Sequence, residues 1–142
     1  MNGSKNKLKN VVEDWKKAYE TRDNGLIADL FLDTNSTFHY GTGEDEKIQG
    51  QGGMLKQLER DWSQSEEGEL EILGFRCEVF REQFAWIACE MVPTITISGQ
   101  KRTFPPLRST IVVVMDTGRW KIAHTHASWP FDAQKEGESF PS

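Results

Sequence analysis

The hydrophobic residues in the first half of the chain recur at helical spacing. Leu8, Val12, Trp15 and Tyr19 follow one another by about one helical turn, which predicts an amphipathic helix over residues 5–21. Asp23 is a suitable N-cap for a second, short helix, whose apolar residues are Leu26, Ile27, Leu30 and Phe31. A third helix is predicted from the apolar residues Met54, Leu55, Leu58 and Trp62, ending near Ser63.

A short strand and a long run of strands complete the pattern. Residues 36–40 are a strand candidate, and a Gly-rich acidic loop follows through Gly53. After Gly68 the pattern changes and predicts four long strands, at 70–81, 84–98, 103–115 and 119–129. The turns between them are too short for parallel crossovers, so these strands are expected to be antiparallel neighbours. Helices followed by strands predict an α+β fold, with the helices on one face of a bent sheet.

Two strand segments are apolar on both faces. Residues 85–89 and 111–115 are continuous apolar runs, although a strand with one wet face alternates apolar and polar residues. Something must therefore cover the second face of the sheet, and the chain has too few helices for both faces. A second copy of the chain is the simplest cover, which predicts a homodimer through the outer sheet face.

Composition narrows the partners and the compartment. The 142 residues carry a net charge of −5, and no run of basic residues is longer than Lys16-Lys17, which argues against nucleic acid or an anionic membrane as partner. No apolar stretch is long enough to span a membrane, and residues 1–10 lack the apolar core of a secretory signal. We therefore expect a cytoplasmic protein with one domain at 1–131 and a loose tail at 132–142. Cys77 and Cys89 could meet across a hairpin, but isolated thiols are the more common arrangement in such a chain.

The last hairpin carries the candidate chemistry. A three-residue loop at 116–118 would place Arg108 opposite His126 and Thr110 opposite His124. Alternation along the last strand would then put Ile122, His124, His126 and Ser128 on one face. A loop of two or four residues would change the parity and move Arg108 to the other face.

This polar cluster in an apolar wall is typical of a small-ligand site. Arg108 could hold a carboxylate or an enolate-like oxygen by paired hydrogen bonds, with Thr110 and Ser128 beside it. His126 and His124 could move a proton near neutral pH and are the candidate catalytic residues. The alternative is a buried polar network that only closes the end of the sheet.

The residues of this hairpin resemble a known family. The segments 108–112 and 116–130, Arg-Ser-Thr-Ile-Val and Asp-Thr-Gly-Arg-Trp-Lys-Ile-Ala-His-Thr-His-Ala-Ser-Trp-Pro, closely resemble the end of SnoaL-like domains of the nuclear transport factor 2-like superfamily. The front half matches more loosely, at Trp15, Tyr19, Arg22-Asp23, Leu30-Phe31 and the helix start at 50–55. The resemblance implies a cone-shaped, cystatin-like roll of three N-terminal helices on a strongly curved, mostly antiparallel sheet. It also implies a pocket at the wide end and frequent dimers.

The resemblance does not bring a reaction with it. The superfamily includes ketosteroid isomerases, polyketide cyclases, limonene-epoxide hydrolases, dehydratases and non-catalytic binding or assembly modules, so fold alone does not decide function. The isomerases use an Asp base in the first strand, where this chain has Tyr40, and a phenol is a poor base at neutral pH. The epoxide-hydrolase carboxylates are not recognisable either. Glu90 is the one strand carboxylate left for acid–base work, and an interface role is the alternative for it.

Three further residues complete the candidate ligand-binding set. His39 and Tyr40 lie on the first strand, and Trp62 could form an aromatic wall, although core packing is an alternative for Trp62. A metal held by His124 and His126 would need His39 or Glu90 as third ligand. Since the resembling family is not generally metal-dependent, no metal and no cofactor are expected.

Three functions remain open at this point. The first is a binding module with a pocket for a small, partly apolar, anionic ligand. The second is a small-molecule lyase, isomerase or hydrolase, in which His126 and His124 shuttle a proton and Arg108 stabilises an oxyanion. The third is a dimerisation or assembly domain.

Overall fold

Three helices form in the first half of the chain. The computed structural model describes residues 2–141, so Met1 and Ser142, the outermost residues of the predicted domain and tail, lie outside it. Helix α1 spans Asn2–Thr21, α2 spans Asn24–Leu30 and α3 spans Gly50–Ser63. The Asp23 carboxylate accepts a hydrogen bond of 3.0 Å from the backbone N–H of Leu26, which confirms the predicted N-cap of α2.

Seven strands follow or interleave with these helices. Their bounds are β1 Phe38–Tyr40, β2 Lys47–Gln49, β3 Glu67–Phe80, β4 Phe84–Ile97, β5 Gln100–Thr103, β6 Leu107–Asp116 and β7 Arg119–Ser128. Two expectations were wrong. The acidic loop contains the strand β2, and the predicted strand at 103–115 is two strands, because Pro105 and Pro106 cannot donate to a ladder and separate β5 from β6.

The strands form one open, curled sheet. Its order is β2-β1-β7-β6-β4-β3, with β5 paired to β4, and every pairing is antiparallel except that of β1 with β7. Register shifts between Leu73 and Arg76 in β3, and between Val112 and Val113 in β6, are β-bulges that increase the local bend. The sheet curls without closing, since its end strands β2 and β3 do not pair.

The core lies between the helices and the concave, inner face of the sheet. Leu8 and Val12 of α1 and Ile27 of α2 are at most 1% exposed, as are the sheet residues that face them, Ile87, Val113 and Ile122. The predicted α+β architecture is therefore confirmed, with the helical layer on one face only. The outer face of the sheet has no helix over it among residues 2–141.

The register of the last hairpin differs from the predicted one. The loop has two residues, Thr117 and Gly118, both at positive φ (48° and 80°), and Asp116 pairs with Arg119. Arg108 pairs with Ser128 rather than His126, and Thr110 pairs with His126 rather than His124. The bulge leaves Ala123 without a partner in β6, because Val112 pairs with His124 whereas Val113 pairs with Ile122.

The two cysteines are both free thiols. Burial raises the pKa of the Cys89 thiol to about 11, which keeps it protonated and weakly reactive. Within the described part of the chain, no helix is long and apolar enough to cross a membrane.

Candidate functional site

A cavity of about 380 Å³ opens inside the curled sheet, between its concave face and helices α1 and α3. Apolar side chains form most of its wall, and its polar residues come from the C-terminal half of α3, from the segment before β2 and from β6 and β7. The aromatic part of the lining comprises Trp15, Tyr19, Tyr40, Phe104 and Trp129. The aliphatic part comprises Ile48, Met54, Leu58, Leu70, Met91, Pro93, Ile95, Ile97, Leu107, Ile111 and Ile122.

Asp61 brings a carboxyl group into this cavity. It follows Met54 and Leu58 on the stripe of α3 that faces the sheet, so the helix period aims it at the interior. The Nε2 of Gln57 donates a hydrogen bond of 3.0 Å to its Oδ1. Burial raises the pKa of the Asp61 carboxyl, and the negative charge of Glu46 raises it further.

Tyr19 lies across the cavity wall from Asp61, on α1. Burial raises the pKa of its phenol to about 12, and the charge of Asp61 adds to this effect. The Tyr19 ring packs against Gly68, which has no side chain. A Cβ on that residue would lie 3.0 Å from the ring. The phenol therefore stays protonated and can donate a hydrogen bond.

Glu46 is the second carboxylate of the cavity. Its Oε2 accepts a 2.7 Å hydrogen bond from the backbone N–H of Gly43 and lies 3.9 Å from the Arg60 guanidinium. None of the described residues that line the cavity is Lys or Arg. The charged side chains that face the cavity from the described residues are thus the carboxylates of Asp61 and Glu46.

Most residues predicted to form the site lie on the outer face of the sheet. Arg108, Thr110, His124, His126 and Ser128 do share one face, but it is the face opposite Ile111, Val113 and Ile122. The prediction that Ile122 projects with the histidines was wrong, because the bulge at Ala123 turns it inward. Glu90 pairs with Arg108 on the same outer face and is exposed.

The outer histidines have aromatic neighbours from β1. The Tyr40 ring lies 5.3 Å from the His126 ring, and the Nδ1 of His124 donates to the carbonyl oxygen of Phe38. Thr110, His126 and Tyr40 border the cavity, although the register puts their side chains outside. Arg108 instead borders a shallow depression beside the C-terminal segment 130–138.

His39 is the one candidate histidine on the inner face. It is fully buried, and its Nδ1 accepts a 2.9 Å hydrogen bond from the backbone N–H of Thr125, while no group among residues 2–141 pairs with its Nε2. Burial lowers the His39 pKa to about 4, and the neighbouring His124 contributes, so the ring is neutral at pH 7. It lies outside the cavity lining, packed edge-on against Phe31.

The remaining predicted roles find little support in these positions. Trp62 packs behind Tyr19, donating its indole N–H to the Tyr19 carbonyl oxygen at 3.2 Å, and does not line the cavity. In the described part of the chain, no three His, Cys, Asp or Glu side chains are grouped so that they could hold a metal ion. The metal alternative with His39 or Glu90 as third ligand therefore has no geometry to support it.

Asp61 is the functional candidate that sequence reasoning missed. The signal was present, because Asp61 follows Leu58 by three residues and Met54 by seven, on the apolar stripe of α3. A carboxylate on the buried stripe of an amphipathic helix is unusual and points to a cavity. Chemically, the arrangement can enclose a small apolar molecule and offer it the carboxyl groups of Asp61 and Glu46 and the phenol of Tyr19.

Comparisons with known proteins agree with this fold. The model of the SnoaL-like domain family matches residues 8–132, whereas no curated protein matches the chain. A nuclear transport factor 2-like superfamily protein from Salmonella enterica superposes with a TM-score of 0.83 at 16% identity, covering 98% of this chain and 99% of that one. A nuclear transport factor 2-like protein of unknown function from Pseudomonas putida KT2440 superposes with a TM-score of 0.80 at 16% identity, covering 99% of this chain and 96% of that one.

A protein with a cystatin-like fold from Caulobacter vibrioides gives a TM-score of 0.71 at 13% identity, covering 89% of both chains. At these identities the solved structures establish the fold and not the function. The family match covers most of the sequence and includes the front half as well as the last hairpin. The chain therefore belongs to the SnoaL-like domain family and has the cystatin-like α+β fold of the nuclear transport factor 2-like superfamily.

Proposed function

We propose that this protein binds a small, largely apolar molecule inside the curled sheet. The observation that carries the proposal is the cavity of about 380 Å³, which has a mostly apolar wall and a small number of polar groups. Cavities of this size and composition are typical of small-molecule sites, where the apolar wall supplies affinity and a few polar groups fix orientation.

The expected charge of the ligand has to be reconsidered. An anionic ligand was expected because of Arg108, and Arg108 lies outside the cavity. Asp61 and Glu46 line the cavity instead, and a buried anion beside them would be repelled. A neutral or positively charged ligand suits this lining better than an anion.

A neutral probe, 1-naphthalenemethanol, tests the proposal by isothermal titration calorimetry. Ser109 faces the cavity from β6, so Ser109→Phe fills part of the space and is expected to weaken binding at least about tenfold. The matched control is Val112→Phe on the same strand, which faces the outside and does not line the cavity. Equal loss of binding in both variants, or no binding to the wild-type protein, would contradict the proposal.

We infer a second property, homodimerisation through the outer sheet face. Phe38, Tyr40, Phe80, Phe84 and Trp86 on this face each expose 37–45% of their surface. Paired positions form a row across the sheet from Phe38 through His124 and Val112 to Trp86. Exposed aromatic side chains gathered on one face of a sheet are a common mark of a protein–protein interface.

A second copy of the chain is the partner that suits this face. The face also carries charges of both signs, Arg76 and Arg108 beside Glu78 and Glu90, so two copies can pair opposite charges around a two-fold axis. Sedimentation equilibrium at micromolar concentration is expected to give a dimer, and Trp86→Glu a folded monomer. Phe140→Glu, which changes an exposed aromatic residue of the tail, is the control. A wild-type protein that stays monomeric at tens of micromolar would contradict this property.

A further inference from the structure

The carboxyl group of Asp61 has one oxygen that the protein itself does not use. Gln57 donates to Oδ1, whereas no group among residues 2–141 donates to Oδ2. An ionised carboxylate accepts several hydrogen bonds, and Oδ2 of Asp61 is not among the buried polar atoms that lack a partner, so it is open to water or to a ligand. A donor on the ligand can take the place of water at this oxygen.

The nearby positive charges are already engaged elsewhere. The Arg22 guanidinium donates to the carbonyl oxygens of Trp62 and Ser65 at 2.6 and 3.0 Å, at the C-terminal end of α3. Arg60 is exposed and donates to Asp45 at 2.8 Å. Neither arginine lines the cavity, although the charge of Arg60 lowers the pKa of Asp61 somewhat and its guanidinium lies 3.9 Å from Glu46.

A second negative charge lies near Asp61 in the cavity. Glu46 is a second lining carboxylate, and its charge raises the pKa of Asp61 in addition to the effect of burial. A positive charge placed between the two would relieve this repulsion. Trp15 and Tyr19, whose ring centroids are 6.1 Å apart, also line the cavity and offer π-faces that attract cations.

We propose that the ligand is an organic amine bound as its ammonium form, with the nitrogen donating to Asp61 and the apolar body filling the rest of the cavity. The inference rests on the proposed function and specifies the chemical class of that ligand. An ammonium group forms charge-assisted hydrogen bonds with a carboxylate, which are stronger than those of a neutral hydroxyl. It also brings the positive charge that the lining residues lack.

Three probes with the same ring system test the proposal by calorimetry at pH 7.5: 1-naphthalenemethylamine, 1-naphthalenemethanol and 1-naphthoic acid. The amine is expected to bind at least about tenfold more tightly than the alcohol, and the acid most weakly. Asp61→Asn keeps the shape of the side chain and is expected to remove the preference for the amine while the alcohol still binds. Glu59→Gln removes a charge from the exposed side of the same helix and is the matched control.

The outcomes separate this inference from the function on which it rests. If the alcohol binds inside the cavity but the amine binds no better, the amine proposal is wrong and the proposed binding function stands. If no probe binds, the proposed function fails and this inference fails with it. A preference for the amine that persists in Asp61→Asn overturns the role of Asp61. The comparison of the three probes on the wild-type protein decides the ligand class even if the variant does not fold.

Discussion

The two faces of the central strands differ in burial and polarity, although their side chains alternate residue by residue along each strand. On β6, Ile111 and Val113 face the core and are at most 3% exposed, whereas Arg108 and Thr110 face outward and are exposed. The inner face lines the cavity, whose carboxylates come from α3 (Asp61) and from the turn before β2 (Glu46). The outer face holds His124 and His126, Arg108 and several exposed aromatic residues.

This difference shows that a predicted functional site depends on which face of a strand its residues occupy. Arg108, His124 and His126 were correctly grouped with one another, yet the group lies on the face without the cavity. Because side chains alternate between the two faces of a strand, the sequence shows which of them share a face. It does not say which of the two faces the helices cover.

The largest expected difference between the faces concerns their histidines. His39, on the inner face, has a pKa of about 4, below its ordinary value of 6.5, so the unfolded chain binds the extra proton between these values. His39 therefore contributes stability that is fully present above pH 6.5 and is lost as the pH falls towards 4. The difference between the His39 pKa values of the folded and unfolded chain corresponds to about 3 kcal/mol in the free energy of unfolding. Urea unfolding at several pH values measures it.

Replacing each histidine separates its contribution from that of the carboxylates. His39→Gln is expected to flatten the fall in stability between pH 6.5 and 4, while keeping an acceptor for the Thr125 N–H. His126→Gln on the exposed outer face is expected to leave the slope as it is. If both variants titrate like the wild-type protein, carboxylates alone cause the acid sensitivity.

Neighbouring valines of β6 give the next largest difference. Val113 is fully buried on the inner face, and Val113→Ala is expected to lower the free energy of unfolding by about 2 kcal/mol, since buried methyl groups are lost and a small cavity remains. Val112→Ala removes the same atoms from the half-buried outer face and is expected to cost less than about 1 kcal/mol. Chemical denaturation in the Trp86→Glu variant, which is expected to be monomeric, would compare the two substitutions without a contribution from the proposed dimer. Similar losses would break the distinction between the faces.

The smallest expected effect is at the turn that sets the register. Thr117 is β-branched and has a φ of 48°, a conformation that asparagine tolerates better. Thr117→Asn is expected to raise the free energy of unfolding by about 0.5 kcal/mol, measured by thermal unfolding. The matched change Thr103→Asn, in the exposed strand β5, should not stabilise. A decrease at Thr117 would indicate that the loop is not the two-residue turn.

Much of the fold could be predicted because its signals are local. The periodicity of α1, the N-cap at Asp23 and the short turns of the long hairpins each depend on a few neighbouring residues. The hydrophobic pattern alone did not predict the start of α3, because Gly50, Gly52 and Gly53 are poor helix formers, and only the family resemblance placed a helix start at 50–55. Gly50 is needed there nevertheless: its φ is +71°, and a Cβ would lie 2.9 Å from the Cα of Asn35. Tertiary contact overrides propensity at this point.

The candidate site was less predictable because it depends on the number of residues in the last hairpin loop and in the bulge, and on contacts between residues far apart in sequence. The loop of the last hairpin is one residue shorter than expected, and the bulge at Ala123 adds one residue again. Neither feature has a reliable local signal, and together they decide which residues face the core. Asp61 could have been suspected from the apolar stripe of α3. Its neighbour Tyr19 comes from a different helix, α1, which lies far from α3 in sequence.

The unpaired Ala123 has a consequence for changes in chain length. In a regular strand, losing one residue moves every later side chain to the opposite face. Here Ile122 already faces inward and His124 outward with Ala123 between them, so the strand would alternate without interruption if that residue were absent. We therefore expect β7 to tolerate a one-residue deletion at this position and to resist one elsewhere, which makes Ala123 the natural place for length variation between related sequences.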